Sequence, residues 1–294
     1  MISKALLNLR PADALNYFFL GALTVITALN GGRIENSGNL IILYSGLILS
    51  QAMLFLFRDR GRLMHWAYHL VFPTISILAI FDSLERIVHY INPRDIDPLL
   101  IKLDYMLFGG HPTVLMELIM TPLLTDLLQA AYTSYYFLPV TLGAVLLARR
   151  DEEAFDRSLF LIMFCFYLSY AGYLLFPALG PRFTMNHLQN VDLQGLVIAG
   201  PVQELLNRLE GIKRDAFPSG HTAIALTVIV LARRFDRRLF LLFFPFVFGL
   251  IFATVYLRYH YVVDVLAGIV LTALTFLLGD AYYGYRQKRV HSRS

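Results

Sequence analysis

The chain has 294 residues, of which 57% are hydrophobic and 16% are charged. Soluble domains carry roughly 25% charged residues, so this composition excludes an ordinary soluble protein and indicates several membrane spans. A net charge of +4 would favour nucleic-acid binding in a soluble protein. In a membrane protein the basic residues instead follow topology, and we expect no nucleic-acid partner.

Apolar segments long enough to cross a bilayer as helices, about 20 residues, recur along the chain. We therefore predict an all-α integral membrane protein with eight transmembrane helices. The predicted spans are residues 14–30, 38–57, 64–82, 125–148, 157–177, 219–233, 238–257 and 262–283. Residues 84–122 mix charges with prolines and predict short interfacial or re-entrant helices, whereas residues 178–218 predict a polar connection. The aromatic run at 132–139 is expected to pack or to form an interfacial belt.

The positions of the basic residues predict the orientation in the membrane. With eight spans, most of the 25 Lys and Arg residues fall on the side that holds both termini, where the connections are short. Short connections rich in Lys and Arg face the cytoplasm. Both termini are therefore predicted to be cytoplasmic, and the long connections are predicted to face the periplasm, the cell exterior or a lumen.

Three polar clusters interrupt the second half of the chain, and all three fall on the predicted non-cytoplasmic side. They read FPALGPRF (176–183), KRDAFPSGH (213–221) and YLRYHYVVDVLAG (256–268). In the third, His260 and Asp264 are four residues apart and share a helix face. A carboxylate on one imidazole nitrogen fixes the tautomer and makes the other nitrogen a better nucleophile. The alternative is an interfacial helix start, where the helix dipole favours an aspartate.

The second cluster also has two readings. Pro218 and Ser219 suit an ordinary helix start, but Ser219, Gly220 and the first free helix amides could also bind a phosphate beside His221. Taken together, the clusters predict phosphoryl transfer in which one histidine attacks phosphorus and the other protonates the departing oxygen. Four basic residues are candidates to neutralise the phosphate: Arg182, Lys213, Arg214 and Arg258. No zinc-type ligand spacing or Walker-type glycine loop occurs, so we expect no metal and no other cofactor.

The motif FPSGH followed by HYVVD resembles the type-2 phosphatidic acid phosphatase superfamily. The GPR sequence, the tyrosine after His260 and the segment LDYMLFGGHP make the chain most similar to the inositol phosphorylceramide synthase branch. The resemblance implies that His260 is the nucleophile and forms a phosphohistidine, that Asp264 orients it, and that His221 is the general acid. It also implies that Ser219 and Gly220 bind the phosphate.

The resemblance implies a six-helix catalytic domain over residues 64–285, preceded by a helix pair at 1–63 and followed by a basic cytoplasmic tail at 286–294. Two basic positions of the superfamily pattern are absent. Leu175 stands where the first motif has a lysine, and Ala253 and Thr254 stand where the last motif has Ser-Arg.

The predicted function is a membrane lipid phosphotransferase. It would move a phosphoryl or inositol-phosphate-like headgroup from a lipid phosphate or phospholipid donor, through phosphohistidine, to a lipid alcohol. A phosphatase that hydrolyses phosphatidate or a polyprenyl phosphate with water would use the same residues and remains an alternative. A non-enzymatic lipid transporter is a remoter one, because transporters place their polar sites near the bilayer midplane.

Overall fold

The computed structural model describes residues 9–209 and 213–291, which are helical and contain no β-strand. The first eight residues of the predicted helix pair and the last three of the predicted tail lie outside the described residues. The α-helices, named in chain order, are α1 (Pro11–Leu29), α2 (Ser37–Phe57), α3 (Arg62–Ser83), α4 (Glu85–Ile91), α5 (Asp97–Phe108), α6 (Pro112–Leu115), α7 (Pro122–Thr133), α8 (Leu138–Ala148), α9 (Glu152–Leu175), α10 (Pro181–Thr184), α11 (Ala199–Leu209), α12 (Gly220–Phe235), α13 (Arg237–Tyr256) and α14 (Val262–His291). The segment Ala67–Val71 of α3 is a π-helical turn, and Met116–Ile119, Ser134–Tyr136 and Asn186–Leu188 are 3₁₀ turns.

Six of the described helices are long and apolar enough to cross a membrane, namely α1, α2, α3, α9, α13 and α14. The pair α7 and α8 is bent by 47° and makes a seventh span if it crosses as one unit. The remaining predicted span corresponds to α12, which has 16 residues, fewer than the roughly 20 that a bilayer requires. The all-α membrane fold is therefore confirmed, whereas the count of eight spans is not.

The bend between α7 and α8 follows from the local sequence. The 3₁₀ turn Ser134–Tyr136 tightens the end of α7, and Pro139 lies in the first turn of α8. Proline has no backbone N–H and fits the start of a helix better than its interior. The predicted span 125–148 is thus two helices that meet at an angle, and the turn between them lies at the candidate site.

The short helix α12 lies at the centre of the bundle. It packs against α8, α9, α13 and α14, and both its polar and its apolar first-turn residues are buried. A helix surrounded on all sides by other helices is stabilised by packing rather than by contact with lipid. Its short length is therefore compatible with a stable position inside the fold.

A buried polar network joins the N-terminal helix α1 to the rest of the bundle. Asp13 accepts hydrogen bonds from Gln51 Nε2 on α2 (2.9 Å), from the Arg10 guanidinium and from the Tyr68 hydroxyl on α3. Asn16 extends the network by donating to Gln51 Oε1 at 2.8 Å. Unpaired polar groups are costly away from water, so these mutual contacts fix α1 and α2 against α3.

Candidate active site

The first turn of α12 carries FPSGH. Ser219 is the N-cap residue, and its Oγ accepts a hydrogen bond from Thr222 N at 3.3 Å. The Ser219 N–H donates to the backbone oxygen of Asp264 at 3.0 Å, which ties this turn to the start of α14. Gly220 has no room for a side chain, because an added Cβ would collide with the Tyr173 hydroxyl oxygen. Ser219 thus fulfils the ordinary capping role, and His221 follows it in the first turn.

The second histidine lies on the loop between α13 and α14. The Tyr259 and His260 N–H groups both donate to the Thr254 carbonyl, at 3.0 and 2.9 Å, and so end α13. Asp104, on α5, accepts hydrogen bonds from Val262 N and Val263 N, both at 2.9 Å. Burial raises the pKa of Asp104, while these two N–H groups act in the opposite direction. The helix α5 therefore fixes the start of α14, next to His260.

The two histidines meet although 39 residues separate them in sequence. His260 Nε2 lies 3.4 Å from His221 Nδ1, and the two rings are inclined by 60°. The His260 side chain is 2% exposed and that of His221 is 7% exposed. The structure thus brings together the pair that the sequence motifs singled out.

The partners of His260 Nδ1 define its tautomer. This atom lies 2.8 Å from the Ala216 carbonyl oxygen and 3.6 Å from Asp264 Oδ2. A carbonyl can only accept, so Nδ1 carries a proton and Nε2, which faces His221, has a lone pair. Asp264 is beyond ordinary hydrogen-bond distance, and its Oδ2 accepts from Tyr261 N at 2.9 Å. The Ala216 carbonyl is therefore the nearest orienting group, with the Asp264 carboxylate beside it.

A column of aromatic rings flanks His221. The ring centroids of Tyr132 and Tyr135 lie 4.5 and 4.2 Å from that of His221, with interplanar angles of 24° and 38°. Tyr132 also stacks on Tyr259, at 4.4 Å and 11°. The guanidinium carbon of Arg182 lies 4.7 Å from the Tyr259 ring centroid. The bend between α7 and α8 thus places two rings on the candidate acid and connects them to a basic residue.

Arg182 and Arg258 are linked through the backbone, because Arg182 N donates to the Arg258 carbonyl at 2.9 Å. Their side chains differ in environment. The Arg258 guanidinium is 8% exposed and donates to Glu117 Oε1 at 2.9 Å and to the Val191 carbonyl at 2.6 Å. Burial lowers the pKa of Arg258, and Glu117 opposes that shift. Arg258 thus binds a carboxylate, whereas Arg182 contacts the aromatic column.

The other two basic candidates lie beside acidic residues. Arg214 forms ion pairs with Glu85 Oε1 at 2.6 Å and with Asp95 Oδ1 at 2.9 Å. Lys213 is exposed, and its backbone N–H donates to Glu85 Oε2 at 3.0 Å. These contacts hold the segment before α12 against α4 and the loop that follows it.

Asp97 joins the first and third polar clusters. Its carboxylate accepts hydrogen bonds from Leu179 N at 2.9 Å, from Gly180 N at 2.8 Å and from the Tyr261 hydroxyl at 2.8 Å. Gly180 has φ +87°, and a Cβ there would lie 2.5 Å from the Tyr259 carbonyl oxygen, so this close crossing requires glycine. The three clusters therefore converge at one site.

An apolar cavity of about 150 Å³ opens beside His221. It lies between α3, α8 and α9, and its lining includes Leu78, Val140, Ile162 and Phe166. His221 and Asp215 also line it, and His221 Nε2 has no hydrogen-bond partner within the described residues. The cavity thus combines a hydrocarbon-like wall with the candidate acid.

Sequence reasoning found the two histidines, Asp264 and Ser219, but missed Ala216, Tyr132, Tyr135, Asp97 and Asp104. The Ala216 contact involves a backbone oxygen, which residue type does not reveal. Over residues 9–209 and 213–291, no group of three or more His, Cys, Asp or Glu side chains could hold a metal ion.

Comparison with known proteins adds an independent line of evidence. The family model of the PAP2 superfamily matches residues 98–278, a range that includes His221, His260 and Asp264. A PA-phosphatase related-family protein from Dictyostelium discoideum is 28% identical over 180 residues, which is 54% of this chain and 32% of that protein. The chain therefore matches about a third of that relative's length. No solved structure matches it significantly. Because the family model covers more than half of the sequence, the chain belongs to the PAP2 superfamily.

Proposed function

We propose that the protein is a lipid phosphotransferase in which the transferred group passes through His260. The observation that supports this most directly is the contact between His260 Nε2 and His221 Nδ1 beside an apolar cavity. His260 Nε2 has the lone pair needed to attack phosphorus. His221 is placed to protonate the oxygen of a lipid alcohol, whose chain would lie in the cavity.

The two steps are balanced by one proton carried by His221. In the first, His260 Nε2 forms a bond to phosphorus, the bond from phosphorus to the lipid oxygen breaks, and protonated His221 gives its proton to that oxygen. In the second, the oxygen of a lipid hydroxyl or water forms a bond to phosphorus, the bond from phosphorus to His260 Nε2 breaks, and neutral His221 takes up the proton of the attacking oxygen. Phosphorylated His260 with a proton on Nδ1 is positively charged, and the Asp264 carboxylate 3.6 Å away favours that charge.

Substrate binding must separate the two imidazoles. A phosphorus poised for attack lies about 3–3.5 Å from its nucleophile, and an acid lies about 2.6–3.2 Å from the oxygen that it protonates. For in-line transfer with His221 Nδ1 as the acid, the two nitrogens must therefore be more than about 6 Å apart, compared with the observed 3.4 Å. We propose that the phosphate inserts between the two rings.

The phosphate site that we propose combines a basic residue with a helix start. Arg182, at the end of the aromatic column, would neutralise the phosphate, and the Ser219 hydroxyl together with Gly220 in the first turn of α12 would bind its oxygens. Lys213 is a secondary candidate. Arg214 and Arg258 would contribute indirectly, because their ion pairs hold the surrounding loops.

The finer identity that we propose is an enzyme similar to the inositol phosphorylceramide synthase branch. It would take a phospho-headgroup from a phospholipid and transfer it to a lipid alcohol. The GPR motif at Arg182, Tyr261 and the LDYMLFGGHP segment that contains Asp104 support this proposal. Hydrolysis of a lipid phosphate is the second candidate, since water can take the place of the alcohol with the same residues.

We further propose that both termini are cytoplasmic, that the site lies on the opposite side of the membrane, and that residues 64–285 form the catalytic domain behind the pair 1–63. Cysteines introduced at positions 60 and 150 would then react with an impermeant reagent only from the cytoplasm. Cysteines at positions 95 and 205 would react only from the other side. Labelling of position 205 from the cytoplasm would contradict the proposed orientation.

The function can be tested with purified protein in detergent and a panel of donors: phosphatidate, a polyprenyl phosphate and phosphatidylinositol, each with and without an added lipid alcohol. A new phospholipid formed only when the alcohol is present supports the transferase. Free phosphate formed regardless of the alcohol supports the phosphatase. If the wild type converts none of these donors, or if His260→Ala retains the activity, the proposed function is wrong.

A further inference from the structure

We infer that Tyr132 and Tyr135 are positioning residues that hold His221 in its protonated, acid form by stacking on its ring. The inference rests on the proposed role of His221 as the general acid. Tyr132 and Tyr135 lie outside both FPSGH and HYVVD. We expect them to affect the step in which His221 donates its proton.

The geometry of the stack supports an electrostatic interaction as well as packing. Both tyrosine ring centroids lie within 4.5 Å of the His221 centroid, and both rings are closer to parallel than to perpendicular with it. The face of an aromatic ring is negative, so a cation over it within about 6 Å is stabilised. A protonated imidazole between these rings therefore gains an attraction that neutral imidazole lacks.

Protonated His221 needs such a stabilisation because of its burial. The side chain is 7% exposed, and burial disfavours the charged form of a histidine. Without compensation, few molecules would carry the proton that the leaving oxygen requires. The two ring faces supply compensation within the described fold.

The other groups that face His221 must be considered as well. His260, on the loop before α14, lies 3.4 Å away, and the lone pair on its Nε2 can accept a hydrogen bond from the Nδ1 of protonated His221. Asp215, before α12, lines the same cavity and favours a positive charge, and Tyr173 of α9 contributes a further ring to that cavity. A test of the tyrosines must therefore leave His260 and Asp215 unchanged.

The two tyrosines also belong to a longer column. On its far face Tyr132 stacks on Tyr259, which Arg182 covers at 4.7 Å. The proposed phosphate-binding cation and the proposed acid are thus attached to one stack. Movement of His221 away from His260, which substrate binding requires, would take place along the faces of Tyr132 and Tyr135 rather than into an unconstrained space.

The test compares Tyr135→Leu with Tyr135→Phe, because phenylalanine keeps the ring face and leucine removes it. The chosen readout is kcat against pH for a lipid phosphate, whose falling alkaline limb reports loss of the proton from the acid. Stabilising the protonated form raises the pKa of the acid. Removing the Tyr135 ring should therefore move the alkaline limb to lower pH. We expect a shift of roughly one pH unit for Tyr135→Leu and almost none for Tyr135→Phe.

Two controls separate this role from simple packing. With p-nitrophenyl phosphate, whose leaving group needs no proton, Tyr135→Leu should keep kcat within a few-fold of the wild type. Phe137→Leu removes a neighbouring aromatic ring that is 65% exposed, and it should leave the alkaline limb where it is. If Tyr135→Leu does not fold, Tyr135→Met provides the same loss of the ring with more of its volume retained.

The outcomes distinguish this inference from the proposed function. An unchanged alkaline limb in Tyr135→Leu, or an equal loss of kcat with both substrates, would overturn the stacking role while the enzyme still turns over lipid phosphate. A wild-type protein without turnover would instead defeat the proposed function. A shift that Tyr135→Phe shares with Tyr135→Leu would also overturn the inference, because it would trace the effect to the hydroxyl group.

Discussion

Filling the cavity beside His221 should change which alkyl phosphates the protein accepts. A cavity of about 150 Å³ accommodates a benzene-sized group, or about six carbons. Each methylene moved from water into it stabilises binding by about 0.8 kcal/mol, which corresponds to roughly fourfold in kcat/KM. For monoalkyl phosphates dissolved as monomers, kcat/KM should therefore rise about 60-fold from propyl to hexyl and then level off.

A matched pair of substitutions on α3 tests this expectation. Leu78 lines the cavity and is 51% exposed, whereas Ile75 is 52% exposed and is not part of the lining. Leu78→Trp should place an indole where the chain would lie and reduce the rise from propyl to hexyl to a few-fold. Ile75→Trp adds the same side chain to the same helix and should keep the full dependence on chain length.

The assay is phosphate release from a propyl-to-octyl series by each variant, with thermal unfolding in detergent as the check on folding. The three-carbon substrate serves as an internal reference, because its short chain needs little of the cavity. Equal slopes in the two variants, whether steep or flat, would show that the cavity does not bind the chain and would refute the reasoning.

Three further predictions concern the transferred group and the fold. After reaction with a phosphate-labelled donor and rapid quenching, His260→Ala should carry no label. His221→Ala should carry an acid-labile, base-stable label that forms slowly. Label on His260→Ala would contradict the assignment of His260 as the nucleophile. Arg182→Ala should lower kcat by about 100-fold with an unchanged unfolding midpoint, and a change of only a few-fold would remove it from the phosphate site. Asp13→Ala should destabilise the fold by about 3 kcal/mol, because Arg10 loses its closest carboxylate and retains Asp156, at 3.5 Å. Asp59→Ala, at a side chain that is 81% exposed, should change stability by less than about 1 kcal/mol, and equal effects of the two would contradict the network.

The two histidines of the candidate site could be predicted from sequence because each stands in a local motif with a structural meaning. Ser219 caps the helix that carries His221, and the four-residue spacing brings Asp264 close to His260. The capping contact lies within one helical turn, where sequence spacing determines distance, whereas His260 lies on the loop before α14 and does not share a helix with Asp264 as predicted. The convergence of the two motifs followed from their predicted position on one side of the membrane.

The residues around the pair could not be predicted in the same way. Tyr132 and Tyr135 lie in a run of aromatic residues. Such a run is equally compatible with packing, with an interfacial belt and with a stack on a functional side chain. The bend between α7 and α8 follows from the local sequence around Pro139, but the contact of these rings with His221 is a tertiary contact with another helix, which residue type does not reveal. Asp97 and Asp104 are similar cases, since each binds backbone N–H groups more than 80 residues away.

The length of α12 has a consequence for where the reaction takes place. At 1.5 Å per residue, its 16 residues span about 24 Å, compared with about 30 Å for the hydrocarbon layer. If the arginines at its C-terminal end, Arg233 and Arg234, lie at one membrane surface, its N-terminus ends about 6 Å short of the other. Ser219 and His221 then lie about 6 Å below the ester linkages, at the edge of the hydrocarbon layer, of a lipid that is still embedded in its leaflet. Such a lipid could react after moving sideways between helices. Its acyl chains would then stay in the hydrocarbon layer, without the unfavourable free energy of transfer into water.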